Sequence, residues 1–183
     1  GVFKKNIENL IYSLSVISLL VVLGLIINLP INEDLFFFNE SYKIDSLAIF
    51  MKIITVVFGA LILVSSYNYV KLTNIFKIEY PILVLCSILG MIVMISSYDL
   101  IVFYIGLELQ SLSLYVLAAF NRDSKKSSEA GLKYFVLSAL SSGLLLYGCS
   151  LIYGFTGSTN FEIISQNLNV SNYVNIFGIV FIL

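Results

Sequence analysis

Residues 99–143 read DLIVFYIGLELQSLSLYVLAAFNRDSKKSSEAGLKYFVLSALSSG. Two apolar runs flank a short basic loop, and each run carries one ionisable residue, Glu108 in the first and Lys133 in the second. Each run is long enough to cross a bilayer as a helix, which takes about 20 residues. A charged side chain within such a run costs at least ~2.5–3.5 kcal/mol on insertion scales, so its retention points to function. Here two such residues of opposite sign lie on consecutive crossings. The segment therefore predicts both the fold class, a bundle of membrane-spanning helices, and the location of its chemistry.

The composition agrees. Of 183 residues, 59% are hydrophobic and only 11% charged, against roughly 45–50% and about 25% in soluble domains. The chain reads as an all-α integral membrane protein with no soluble domain. A net charge of −1 excludes the basic footprint of a nucleic-acid-binding protein. The absence of histidine excludes imidazole metal sites and histidine acid–base chemistry, and no metal site is expected. Cys86 and Cys149 lie in apolar runs and read as buried structural thiols.

Outward from the central segment, apolar runs predict helices over about residues 10–29, 46–70, 81–98, 100–120 and 128–155, and the start of a sixth over 173–183. The 183 residues form a single transmembrane domain of five complete crossings and part of another. Pro30 closes the first helix and Pro81 suits the first turn of the third. Ser127 and Ser128 are the expected N-caps of the fifth, with Glu129 favourable near its positive dipole end. Ser138 with Ser142, and Ala139 with Gly143, are small-residue pairs of the kind that let helix backbones approach. Phe36 to Phe38 are expected at the membrane interface or against a partner. The chain begins at Gly1 and ends at Leu183 in mid-run, so it reads as the N-terminal part of something longer, without a cleaved signal peptide. Abundant Ile, Phe, Tyr, Asn and Lys point to an A+T-rich genome, such as an organelle's or an endosymbiont's.

Loop charge alternates. Lys4, Lys5, Lys71, Lys77, Arg122, Lys125 and Lys126 occupy one set of ends, while the other set holds Lys43 against Glu33, Asp34, Glu40, Asp45, Asp99 and Glu162. By the positive-inside rule the N-terminus faces the cytoplasm or matrix.

Glu108 lies eight residues into its helix, roughly 12 Å deep. Tyr104, Ser111 and Tyr115 share its stripe at i−4, i+3 and i+7 and supply hydroxyls for a hydrated proton path. The alternative is a carboxylate that only packs against another helix. Lys133 follows Glu129 by one turn, so it can be functional or can snorkel to the surface. Its depth differs from that of Glu108 by about 10 Å, which argues against direct contact. Lys52, near the start of the second helix, reads as a snorkelling residue, with a role in a charge pathway as the alternative.

The stretch YDLIVFYIGLELQSLSLYVLAA with SSEAGLKYFVLSALSSGLLLYGCSLIYGFTGSTNF closely resembles the chain-2 family of respiratory complex I, the proton-pumping NADH:ubiquinone oxidoreductase. The likeness is greatest to the mitochondrial versions of plants and protists and is dense over about residues 80–161. The resemblance implies an antiporter-like fold of two inverted five-helix repeats, of which this chain holds the first, its helices matching the second to sixth crossings. It implies that Glu108 and Lys133 form an ion pair at a proton channel. It also implies that flavin, iron–sulfur clusters and ubiquinone belong to other subunits, with no cofactor in this chain. The expected partners are other membrane-arm subunits, a second chain carrying the rest of the subunit, and the lipid bilayer. The expected location is the mitochondrial inner membrane, with the N-terminus on the matrix side. The first crossing, the relay lysine of the broken seventh and the second repeat are missing from this sequence. A subunit of a multi-subunit cation/proton antiporter, and a purely structural membrane scaffold, are the alternative readings.

Overall fold

A computed structural model describes residues 2–30, 34–72, 77–167 and 173–182, with side chains from residue 9 in the first helix and from residue 176 in the last. Glu33 and the side chains of Lys4 and Lys5, which the loop-charge argument uses, lie outside the described residues. The elements run α1 (Val2–Ile27), β1 (Leu35–Phe37), β2 (Tyr42–Ile44), α2 (Ser46–Leu72), α3 (Glu79–Ile95), α4 (Leu100–Ala118), α5 (Lys125–Thr156), α6 (Phe161–Asn167) and α7 (Tyr173–Ile182).

Among the described residues four stretches are long and apolar enough to cross a membrane: Asn9–Ile27, Ser46–Leu72, Leu100–Ala118 and Lys125–Thr156. The fifth apolar helix, α3, has 17 residues, or about 25 Å of rise, at the short end of the spanning range. Large apolar side chains cover the outside, among them Phe58 at 61% exposure and Leu137 at 68%. Such a surface suits lipid or neighbouring helices rather than water.

Burial inside the bundle follows a seven-residue rhythm. Tyr12, Leu19 and Ile26 of α1 are buried, as are Ile49, Val56, Leu63 and Val70 of α2. Between the α2 residues, Lys52 and Gly59 are also buried. This three-and-four alternation is a knobs-into-holes seam. Val84 and Ile88 of α3 complete the cluster. A second, smaller cluster joins Leu100, Cys149, Ile152 and Ile164. Cys149 is buried and Cys86 half-buried, both as free thiols.

At one end the loops interlock. The strands β1 and β2 pair antiparallel, with Phe36 opposite Lys43. Their turn places Phe38, Asn39 and Glu40 in the left-handed region at φ 54, 53 and 63. The hairpin is anchored to the α3–α4 corner: the Lys43 N–H donates to Ser96 O (2.8 Å) and the Tyr98 N–H to Ser41 O (2.9 Å). These bonds end α3 at Ile95, earlier than the apolar pattern predicts. The α5–α6 corner joins through Leu100 N–H to Thr159 O (2.9 Å) and Phe161 N–H to Tyr98 O (3.1 Å). Asp99 ties the corner together. One of its oxygens caps α4 by accepting from Ile101 N–H (2.7 Å), and the other accepts from the Thr159 hydroxyl. Asp34, Glu40, Asp45, Asp99 and Glu162 all belong to this end. Lys77 and Arg122 line one cavity at the other end.

Two local expectations are corrected. Ser124, not Ser127 or Ser128, caps α5. The Ser127 hydroxyl instead donates to Ala118 O (2.8 Å), locking the α4–α5 turn. Glu129 therefore sits beyond the first turn. The small-residue pair Ala139–Gly143 makes no close approach either, since a Cβ at Gly143 would meet nothing within 4 Å. Close contact on α5 occurs at Gly131, against Ala119, and at Gly148, against the backbone of Gly178.

Candidate functional site

A backbone-to-backbone contact between two helices builds the site. A Cβ on Gly90 of α3 would lie 2.6 Å from Gln110 N and 2.7 Å from Gly106 O; one on Gly106 of α4 would lie 2.8 Å from Met94 N. The two helices thus touch backbone to backbone, as only glycine permits. At this antiparallel register Glu108, between Gly106 and Gln110, lies level with Gly90. Its Oε1 is buried and has no hydrogen-bond partner among the described residues. Leaving such an acceptor unsatisfied costs about 1–3 kcal/mol, and more for a charged group.

The stripe around Glu108 is ordered. Tyr104 is half-buried one turn toward the acidic end. The Ser111 hydroxyl donates back to Leu107 O (2.7 Å). Tyr115 is 7% exposed and packs edge-on against Tyr134 and Phe135 of α5, with ring centres 4.7 and 5.8 Å apart. Tyr115 also lines a cavity of about 590 Å³ whose other walls include Phe135, Lys77 and Arg122. The stripe therefore leads from Glu108 to a cavity at the basic end.

Lys133 is not brought to Glu108. Its ammonium pairs with Glu129 Oε1 at 2.6 Å, with both side chains more than 60% exposed. Register explains why. Gly131 sits beside Ala119 and Phe135 beside Tyr115. Carried on, that register puts Ser142 level with Glu108, about nine residues or roughly 13 Å along α5 from Lys133. An exposed i,i+4 pair stabilises by only ~0.3–0.5 kcal/mol, so Glu129 holds Lys133 loosely.

The favoured snorkelling reading of Lys52 is corrected. The lysine does not snorkel: it is 3% exposed and donates to the Tyr42 hydroxyl at 3.1 Å. The signal available was its place between Ile49 and Val56 in the seam. Among the described residues no cluster of three or more Cys, Asp or Glu side chains could hold a metal ion.

Comparison with known proteins places this geometry. Residues 97–183 match the family described as NADH:quinone oxidoreductase/Mrp antiporter, TM. NADH-quinone oxidoreductase subunit N of Pelagibacter ubique is 63% identical over the whole chain, which spans 39% of that protein. The subunit N of Parvibaculum lavamentivorans is 45% identical, and the chain spans 38% of it. A chain of respiratory complex I from Thermus thermophilus with bound aureothin superposes with a TM-score of 0.77 at 24% identity, over 96% of this chain and 37% of that one. A chain of the membrane-bound sulfane sulfur reductase, an archaeal respiratory membrane complex, superposes with a TM-score of 0.70 at 28% identity, over 77% and 28%. These subunit N relatives are bacterial, which corrects the expected mitochondrial plant or protist type. The chain has the antiporter-like membrane fold and is similar from end to end to the subunit N of bacterial NADH-quinone oxidoreductases, of which it spans about two fifths.

Proposed function

We propose that this chain forms half of a proton channel in the membrane arm of a bacterial respiratory NADH-quinone oxidoreductase, with Glu108 as the group that takes up and releases the proton. The observation that carries this reading is the buried, unpartnered Oε1 of Glu108 at the Gly90–Gly106 contact. Protons enter from the basic-end cavity, pass along Tyr115 and Ser111 to Glu108, and leave past Tyr104 toward the acidic loops. Lys133, loosely held by Glu129, is the movable charge whose position is coupled to proton uptake and release at Glu108.

The chain contributes to the oxidoreductase without a redox centre of its own. Flavin, iron–sulfur clusters and the quinone belong to other subunits of the complex. Its partners are the other membrane-arm subunits and the sequence that completes subunit N, which the relatives carry on one polypeptide. The membrane is the bacterial cytoplasmic membrane, with the basic loops on the cytoplasmic side. The test is Glu108→Gln in the native complex, with Glu108→Asp alongside. Glutamine keeps size and hydrogen bonding but holds no ionisable proton. Proton uptake by inside-out vesicles should fall with Glu108→Gln, while the complex stays assembled and still oxidises NADH with an artificial acceptor. Glu108→Asp should retain part of the uptake. Unaltered uptake by an assembled Glu108→Gln complex would reduce Glu108 to a packing residue.

A further inference from the structure

Lys52 is the one buried lysine among the described residues. Its seam position between Ile49 and Val56 directs it into the bundle, against α1, α3 and the hairpin. A buried ammonium is costly unless paired. Yet among the described residues no carboxylate lies within 4 Å of Lys52, since the ion pairs are Lys43 with Asp34, Lys43 with Asp45, and Lys133 with Glu129.

What Lys52 has is Tyr42. The Lys52 Nζ donates to the phenol oxygen at 3.1 Å and lies 4.9 Å from the ring centre. Lys43, the next residue on β2, faces the opposite side of the hairpin and takes both nearby carboxylates. On α1, the Tyr12 hydroxyl is engaged with Leu63 and Ser66, far down α2. On α3, Glu79 and Tyr80 stand at the basic end and Cys86 about two turns short of the corner. Tyr42 is thus the titratable group in contact with Lys52. It pairs through its backbone with Ser97 at the α3–α4 corner. The neighbouring Ser96 hydroxyl is buried and has no hydrogen-bond partner among the described residues. Lys52, the hairpin and the α3–α4 corner thus meet at the acidic end.

We infer that Lys52 and the Tyr42 hydroxyl form a proton-relay station between Glu108 and the acidic-end loops. The ammonium gives a proton to the phenol oxygen as the phenol's own proton leaves to water at the loops. The neutral amine then takes one proton from the Glu108 side, so one proton enters for each that leaves. This inference rests on the proton-channel reading above.

The experiment uses the whole complex carrying Lys52→Met, Lys52→Arg or Tyr42→Phe. Proton uptake per NADH oxidised is measured beside wild type and Glu108→Gln. Arginine keeps the charge and the donors but does not release its proton. A relay predicts that Lys52→Met and Lys52→Arg both lose uptake per NADH, and that Tyr42→Phe loses part of it. Normal uptake in assembled Lys52→Arg would overturn the relay and leave Lys52 as a fixed charge anchoring the hairpin. If Lys52→Met does not assemble, Lys52→Arg alone decides. A defect in Glu108→Gln with normal uptake in every Lys52 variant sinks this inference and spares the channel; normal uptake in both sinks both.

Discussion

The α3–α4 pair and α5 are neighbouring parts of one bundle, yet they hold their charges in opposite ways. At the Gly90–Gly106 contact no side chain separates the backbones, and half-buried Glu108 has its Oε1 enclosed at that level. Along α5, Gly143 and Gly154 have open space where a Cβ would go, and Lys133 stands exposed on an i,i+4 pair. Glu108 is therefore held by the fold of this stretch itself, whereas Lys133 is free to respond to whatever packs against α5. On the proposed reading, Glu108 is the fixed group of the channel and Lys133, about nine residues along α5 from its level, the movable charge.

The contrast is broken most severely at the glycines. Gly90→Val places a Cβ 2.6 Å from the backbone of Gln110. Overpacking of a backbone contact costs several kcal/mol where neither helix can yield, above the ~1–3 kcal/mol typical of side-chain overpacking. The complex should fail to accumulate. Gly143→Ala, with nothing to strike, should leave abundance unchanged or raise thermal stability slightly, by up to ~1 kcal/mol. Blue-native gels and melting curves of the two variants give the comparison, and equal effects would contradict it.

A smaller effect belongs to Lys133. Lys133→Ala removes a pair worth ~0.3–0.5 kcal/mol, so assembly should be normal. Its loss of proton uptake should be partial and smaller than that of Glu108→Gln. In the double variant the two losses should combine to less than their sum, because coupled groups are not additive. Strict additivity would mean that Lys133 does not act through Glu108.

The smallest effect is at the hairpin. Its hydrogen bond to Asp34 holds Lys43 above the ordinary 10.5, and partial burial with Glu162 nearby holds Tyr98 above the ordinary 10.0. Both groups have raised folded values. Their contribution is complete below the unfolded values and fades as pH rises through the folded ones. Docking of the hairpin should weaken only above about pH 10. A cysteine at Ser41 should become more reactive there relative to an unstructured thiol control. Lys43→Met should blunt that step, and a step below neutral pH would contradict the assignment.

The long apolar helices, their order and the antiparallel return through the basic loop were legible because apolar length alone encodes a spanning helix, whereas the short α6 lies in a polar stretch that carries no such signal. Glu108 was legible because a carboxylate in an apolar run stands out. Other features were hidden for physical reasons. The hairpin uses strands of three residues and turns through Phe38, Asn39 and Glu40 rather than an Asn-Gly pair, so it carries no turn signature. The seam that buries Lys52 is masked because α2 is apolar all round and offers no amphipathic contrast. The cap at Ser124 competed with two equally good serines, and only the Ser127 bond to Ala118 O decides between them. The approach of Gly90 to Gly106 is a pairing between helices, which spacing within one helix does not encode.

The central claim is that Glu108 changes protonation during turnover, and infrared difference spectroscopy of the assembled complex tests it most directly. Spectra recorded between resting and NADH-energised states, with glutamate labelled by carbon-13, should contain a protonated-carboxyl band that shifts with the label. That band should be missing from Glu108→Gln. If the wild-type and Glu108→Gln difference spectra are the same in that region, Glu108 carries no proton in the cycle and the account is wrong.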